Sequence, residues 1–381
     1  MIWIVPALYL AALLLVLRAF VAADPRLPDY EPVVDGPPLT VIVPARNEAR
    51  NIEPCVTSIL ASRYRRLEVI VVDDRSSDDT ADRVERLLTR PGNGDRLRLL
   101  RGAEVPEGWF GKQWALVQGY RAARPGRSEL LLFADADTRH TPDLIPRAVA
   151  VLAREKVDLV TLLPRQAMET FWELVIQPHV FFAMRAVVGG FRRLNRTRVP
   201  WRGIANGQFI LTPRKTYEAV GTHAAVRHLV TDDLALAQAY VTAGRDIFLV
   251  DAVREMTTRM YATLGEIVGG WSKNLAQGAP LMMPPIGPLR AVVPWVMWVP
   301  SLAWIVPPVL LVVTGSPPWI AVVAISVLLW ALVYRLQRVP VWGALVYPLG
   351  ALMFVGILIR SAVRGRRIEW RGRVYGATPA G

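Results

Sequence analysis

A single cysteine, Cys55, stands in 381 residues. No intramolecular disulfide can therefore brace the fold, and the chain suits a reducing compartment. The four histidines, His140, His179, His223 and His228, fall at no metal-ligand spacing and read as surface residues or residues behind a site. Two glycine signatures are also missing: neither G-x-x-x-x-G-K-[ST] nor G-x-G-x-x-G occurs. That excludes the phosphate loops of ATPases and dehydrogenases, so phosphate charge has to be met another way. The net charge of +13 raises nucleic acid as a partner, but no basic stripe interleaved with aromatics accompanies it. Attraction to an anionic membrane face accounts for the excess more simply, and no nucleic acid is expected.

Apolar residues make up 52% of the chain and are unevenly spread. Residues 2–22 carry one charge, Arg18, and are long enough to cross a bilayer at about 20 residues per span. With no basic stretch ahead of its apolar core, this segment reads as an uncleaved anchor rather than a signal peptide. Arg18 at its inner end places the globular middle of the chain in the cytoplasm. From about 281 to 363 the chain is again apolar, with segments at about 291–314, 317–334 and 339–362. The organisation expected is an anchor at 1–23, a globular domain at 24–280, a transmembrane region of two to three spans at 281–363 and a basic tail at 364–381. Four spans in all would put the C-terminus outside, whereas the arginines from Arg360 to Arg373 favour a cytoplasmic tail, and the two signals conflict. The stretch 170–191 is apolar but interrupted by Glu173, Pro178, His179 and Arg185. It reads as a core helix, or as an amphipathic helix in the interface, and not as a comfortable span.

The middle of the chain alternates strand and helix. "LTVIVPA" (39–45), "LEVIVVDD" (67–74), "RLRLL" (96–100) and "ELLLFADAD" (129–137) are strand-like runs. Between them lie helical patterns at 48–61, after Ser77 as a candidate N-cap, and at 111–123. Apolar runs alternating with helices predict an α/β fold with a mostly parallel sheet covered on both faces. Ligands of such sheets bind beyond the carboxyl ends of the strands. Pro44, Arg46 and Glu48, then Asp73 and Asp74, then Asp135 and Asp137, all lie there. Acids at one strand end are explained by a turn or a cap. Three polar clusters on one edge make a site the better explanation. Asp-x-Asp supplies hard oxygen ligands suited to Mg²⁺ or Mn²⁺ that is otherwise coordinated by phosphate and water.

The ordered set "VIVPARNE", "VIVVDDRSSDDT", "FADADT" and "VTDDLALA" resembles the inverting glycosyltransferases of family 2, which have the GT-A fold. The resemblance covers about 38–280. A narrower likeness, carried by "GQFIL", "RMY", "GWSKN" and "WRGRVY", is to membrane enzymes that glycosylate lipids such as hydroxylated carotenoids, hopanoids and ceramide. The resemblance implies a nucleotide-sugar donor, a membrane lipid acceptor and a divalent cation. Pro44, Arg46 and Glu48 match the nucleotide-contacting first loop. Asp74 matches the acid that accepts the uracil N3–H, with Asp73 its neighbour. Asp137 is expected to bind the metal, Asp135 to contact ribose or donor sugar or to share the metal, and Lys112 to lie near the donor.

"HLVTDDLALAQAYVTAG" (228–244) turns helical from Asp233 onward. Thr231 or Asp232 as an N-cap would explain one acid. By the resemblance, Asp233 aligns with the Asp of the family's Thr-Glu-Asp and Asp232 with its Glu, which makes Asp233 the expected general base. The family's polysaccharide synthases carry Gln-x-x-Arg-Trp, where this chain has "IVGGW" (267–271). Trp271 matches, but the Gln and Arg do not, which argues against processive polymer synthesis. Arg259 and Lys273 are candidates to supply the missing charge near the diphosphate, or are surface or membrane-facing bases. Trp271 faces the acceptor or anchors at the interface. The expected reaction is transfer of one sugar to a lipid hydroxyl. The alternatives are a synthase that loads polyprenyl phosphate, and a catalytically dead GT-A membrane scaffold.

Overall fold

The computed structural model describes residues 7, 9, 11, 24–126, 128–188, 190–229, 231–364, 368–370 and 373–375. The anchor expected at 1–23 therefore lies almost wholly outside the described residues, and of the basic tail at 364–381 only Arg364 and two paired antiparallel strands, Ile368–Trp370 and Arg373–Tyr375, are described. In chain order come β1 (Leu39–Ala45), α1 (Ala49–Leu60), β2 (Leu67–Asp73), α2 (Thr80–Leu88), β3 (Leu97–Arg101), α3 (Gly111–Ala122) and β4 (Leu130–Ala134). Then follow β5 (Thr138–His140), α4 (Leu144–Glu155), β6 (Leu159–Leu163), β7 (Arg165–Gln166) and α5 (Phe171–Val188). After these come β8 (Phe209–Pro213), α6 (Arg214–Ala219), α7 (Asp232–Thr242), β9 (Ile247–Asp251) and β10 (Met256–Thr258).

Seven strands form the main sheet in the order β3-β2-β1-β4-β8-β6-β9. The first four are parallel, β8 runs against both its neighbours, and β6 and β9 are parallel to each other. The side-chain period of two feeds two cores. Val41, Val43, Val69, Val71 and Leu132 pack with α1, α2 and α4 through Ile52, Val56, Ile59, Val84 and Leu144. Ile42, Ile70, Val72, Leu131 and Phe133 pack on the other face with Ala115, Leu116, Leu236 and Tyr240 of α3 and α7. This is the covered, mostly parallel sheet that the strand runs predict. Chain order reverses between β1 and β4, and open α/β sheets bind their ligands in the crevice beyond the strand ends at such a point. One detail departs from the sequence pattern: α2 starts at Thr80 with Asp79 as its N-cap, not at Ser77. Residues 76–78 are drawn instead into bonds with the preceding loop.

By packing, the chain divides into two units. The sheet unit includes Asp24–Arg165 and Leu194–Thr258, and the helical unit includes Gln166–Arg193 and Arg259–Arg367. The helical unit thus takes in two stretches that the sequence assigned to the 24–280 domain. It holds α5, α8 (Leu264–Leu281), α9 (Gly287–Val296), α10 (Leu302–Thr314), α11 (Pro317–Leu336) and α12 (Tyr347–Arg364). Among the described residues, four stretches are long and apolar enough to cross a membrane: Phe171–Val188, Val292–Thr314, Pro317–Leu336 and Val341–Val363. The last three match the expected segments. The first is long and apolar enough although the sequence reads 170–191 as too interrupted to span comfortably, and its half-buried helix also suits the core-helix reading. Its helix runs through Pro178 without a break, and the buried Glu173 is neutralised by Arg259, with Nε to Oε1 at 3.0 Å and Nη2 to Oε2 at 3.1 Å. A paired charge no longer interrupts an apolar helix as an isolated one does.

Helices α5 and α12 meet at Gly350. A Cβ there would lie 2.3 Å from the Val175 carbonyl oxygen and 2.4 Å from Nε2 of the buried His179. Only a hydrogen fits, and a carbonyl cannot swing aside. Gly350→Ala is therefore expected to destabilise the helical unit by about 1–3 kcal/mol, read as a lower melting temperature of the detergent-solubilised protein. An unchanged melt would show that the two helices can separate freely.

Candidate active site

The lip of the site is built by the loops that follow β1 and β2. Each contains a non-glycine residue in the left-handed region, Asn47 (φ 53°) and Arg75 (φ 56°), a conformation that persists only where surrounding bonds enforce it. Those bonds are present. The Asn47 N–H donates to Ser76 Oγ (3.0 Å), and the Ser77 N–H donates to Asn47 Oδ1 (2.8 Å). At the start of α1, the N–H groups of Glu48 and Ala49 donate to Thr80 Oγ1 (2.8 Å) and Asp78 Oδ2 (3.2 Å). The second loop thereby satisfies donors that a helix start leaves open. Arg46 Nη1 donates to the carbonyls of Asp74 (2.6 Å) and Arg75 (3.0 Å), and the Asp74 N–H donates to Ala45 O (2.7 Å). Asp74 is thus buried and fixed from both sides. Asp73, also buried, accepts from the Ser76 N–H (3.3 Å) and from Arg101 (3.4 Å). Its bonds tie the loop to β3. Pro44 is half-buried near the end of β1, and Glu48 Oε2 accepts from Asn51 (2.9 Å).

Across the crevice, β4 ends at Ala134 and delivers Asp135 and Asp137, both half-buried, into a turn over the buried Cys55. Lys112, in the first turn of α3, reaches Asp135 Oδ1 with its Nζ at 2.7 Å. The start of α3 is held in place by Phe110 N–H to Arg227 O (3.0 Å) and by Gln113 to the Leu229 carbonyl. Burial opposes charge on Lys112, but Asp135, Asp232 and Asp233 outweigh it and hold the ammonium above the ordinary lysine value. Asp135 is thus paired with the lysine, and Asp232 and Asp233 lie within the reach of its charge.

Asp232 and Asp233 open α7, with Thr231 in the cap position. Their side chains lead different lives. Asp233 is half-exposed and accepts the Gly207 N–H at Oδ2 (2.9 Å) and the Leu234 N–H at Oδ1 (2.7 Å). Asp232 is 5% exposed. Burial is the largest effect on it and pushes its carboxyl up to about 6; Lys112 pulls the other way, and Asp233 and Asp135 add to the rise. Gly207 completes the cluster: a Cβ there would sit 3.2 Å from both Asp233 Oδ2 and Lys112 Nζ. It arrives at this edge because β8 is antiparallel, pairing Phe209 with Ala134. Sequence patterns assign no role to Gly207. Of the two places expected for the histidines, on the surface or behind a site, only His228 takes the surface; His140, His179 and His223 are buried. "GQFIL" is the one signal that marks the neighbourhood of Gly207.

Arg259, Trp271 and Lys273 belong to the helical unit. The Arg259 guanidinium is held by Glu173 and by Glu169 at 2.6 Å, which gives it a structural task there. Trp271 is 5% exposed, edge-on to Phe181 (5.5 Å) and Tyr261 (5.8 Å) between centroids. It is a core residue of that unit rather than an exposed anchor. Lys273 is half-buried on α8.

Among the described residues, no group of three or more His, Cys, Asp or Glu side chains could hold a metal ion. A divalent ion that takes one or two carboxylates and completes its shell from phosphate and water does not need such a cage. With Asp135 facing an ammonium, Asp137 is the carboxylate whose placement and hard donor chemistry fit that ion.

Residues 40–221 match the glycosyl transferase family 2. A 4,4'-diaponeurosporenoate glycosyltransferase of Staphylococcus aureus is 27% identical over 353 residues, 88% of each chain. Its counterpart in a second strain is 28% identical over 265 residues, 68% of this chain and 65% of its own length. The mannosyltransferase PcManGT from Pyrobaculum calidifontis, solved with GDP-Man and Mn²⁺, superposes with a TM-score of 0.57 at 24% identity, covering 95% of this chain and 97% of that one. That likeness concerns the fold. Residues 40–221 are thus a glycosyl transferase family 2 domain, carried on a GT-A-type sheet.

Proposed function

We propose that the protein is an inverting glycosyltransferase that moves one sugar from a nucleotide-sugar, a UDP-hexose, to a membrane lipid of the carotenoid type. The observation that supports this above all is the meeting of Lys112, Asp135 and Asp233 beside the turn that carries Asp137. The nucleotide lies along the Arg46–Asp74 lip, where the Asp74 carboxylate takes the uracil N3–H. Asp135, steadied by Lys112, faces ribose or donor sugar, and Asp137 holds Mg²⁺ or Mn²⁺. When bound, that ion neutralises charge on the departing diphosphate. Asp233, fixed by two backbone donors and half-exposed, accepts the proton of the attacking hydroxyl. Displacement is direct, with no covalent enzyme intermediate, and the anomeric centre inverts. We assign Arg259 and Trp271 to the packing of the helical unit. The sheet unit faces the cytoplasm, where nucleotide-sugars are available.

The relatives' name favours a second reading of the acceptor. Diaponeurosporenoate is a carboxylate, already ionised at neutral pH, and a carboxylate nucleophile needs no general base. Mass spectrometry of membrane lipids from cells with and without the protein tests the proposal. The expected result is loss of one hexosylated lipid, with the linkage, glycosidic acetal or ester, identifying the attacking group. A hexosylated polyprenyl phosphate would instead mark a polyprenyl-phosphate synthase. An unchanged lipid profile, together with no nucleotide-sugar hydrolysis by the purified protein, would mark a scaffold.

A further inference from the structure

Behind Asp232 lies a buried pair to which the proposed chemistry gives no task. Tyr217 on α6 is completely buried and His223 is 1% exposed. The Tyr217 hydroxyl accepts the backbone N–H of His223 at 3.0 Å and lies 2.8 Å from the ring Nδ1. A hydroxyl carries one hydrogen. Directed at Nδ1, that hydrogen makes Nδ1 an acceptor and leaves the ring hydrogen on Nε2. Nε2 in turn faces Asp232 Oδ2 at 4.0 Å. The Phe133 ring, edge-on at 4.8 Å, walls the imidazole on another side. Burial keeps the ring neutral, lowering its titration to about 3, and Lys112 acts in the same direction.

We infer that His223, oriented by Tyr217, is a positioning residue for Asp232: from 4.0 Å, too far for a hydrogen bond, its neutral ring walls the carboxylate and turns the N–H end of the ring dipole toward it, leaving Asp232 directed at Lys112 while Asp233 takes the acceptor's proton. The inference rests on the proposed role of Asp233. An ionised Asp232 next to Asp233 favours the arrival of a proton at this end of α7, and its charge is balanced by Lys112. The groups that face Asp232 are Lys112 on α3, Asp135 beyond β4, Asp233 on its own helix and His223. Of these, His223 is the neutral one.

The test is transfer from UDP-hexose to a total membrane lipid extract by the full-length protein in detergent, followed across pH. His223→Leu is expected to lower kcat by about tenfold, as loss of an outer-shell partner does, with the donor KM within about twofold. The acid limb of the rate profile should move up, by about one pH unit at most, because the charged carboxylate exchanges a polar neighbour for an apolar one. His223→Gln, whose amide N–H reaches the place of Nε2, should restore most of the rate. On an Asp232→Asn background, His223→Leu should add no further loss. Equal loss in the Leu and Gln variants with an unmoved acid limb, or a further loss in the double variant, overturns the inference. Should both His223 variants fail to fold, Tyr217→Phe decides: it keeps the ring and removes the hydroxyl hydrogen, and an unmoved acid limb there overturns the inference equally. Loss of turnover in Asp233→Asn alongside unaffected His223 variants rejects only the positioning role. Full turnover in Asp233→Asn rejects the underlying assignment of the base.

Discussion

The Asp137→Asn variant is expected to lose sugar transfer, by about three orders of magnitude or more, while its fold survives. Asparagine keeps the size of the side chain and one oxygen but gives up the negative charge that a divalent ion requires. Asp137 lies beyond β4 in the turn over Cys55, outside both cores of the sheet, so the melting temperature should barely change. Calorimetric titration with UDP-hexose should show donor binding that depends on added Mn²⁺ in the wild type and not in the variant. Unchanged transfer in the variant, or full wild-type activity in excess chelator, removes the metal from the mechanism.

The second large effect is expected at Asp233. Asp233→Asn retains an acceptor oxygen for the Gly207 and Leu234 N–H groups but cannot take a proton. Turnover with a hydroxyl acceptor should fall by about two to four orders of magnitude, the range for loss of general base catalysis. Donor binding should survive, because it is assigned to Asp74 and Asp137. Asp232→Asn should cost less, about tenfold in rate, in keeping with an effect exerted through its neighbour. If the two variants exchange behaviour, Asp232 is the base. If Asp233→Asn turns over normally and the lipid product is an ester, the acceptor is a carboxylate and no base is required.

The sheet was legible because its first four strands are continuous apolar runs, and burial on both faces leaves that signature in any parallel sheet. The acids at the strand ends were legible for the same reason, since they interrupt such runs abruptly. The pairing of Lys112 with Asp135 was not. Lys112 opens a helix between β3 and β4, and only the reversal of chain order beside β1 decides what that helix start faces. Burial of His223 was hidden too, because a histidine in a polar connection looks alike whether or not a tyrosine hydroxyl waits for it. The helix Phe171–Val188 was legible as a helix, but its ion pair was not: Glu173 looks like a bare charge in the sequence, and its partner Arg259 stands far along the chain. Long-range neutralisation leaves no local mark.

The antiparallel course of β8 constrains how the chain can change in length. Parallel strands bring their active residues after the strand, where a loop can take up an insertion. β8 brings Gly207 before it, only two positions ahead of the Phe209–Ala134 pair. Adding or deleting one residue there would shift the backbone donor of Asp233 by about 3.4 Å and exchange the faces of the strand. Length variation between α5 and β8 should therefore be tolerated upstream of Gly207 and rejected between Gly207 and Phe209, whatever residues occupy those positions. That short interval acts as a spacer whose count, rather than its chemistry, keeps Asp233 in place.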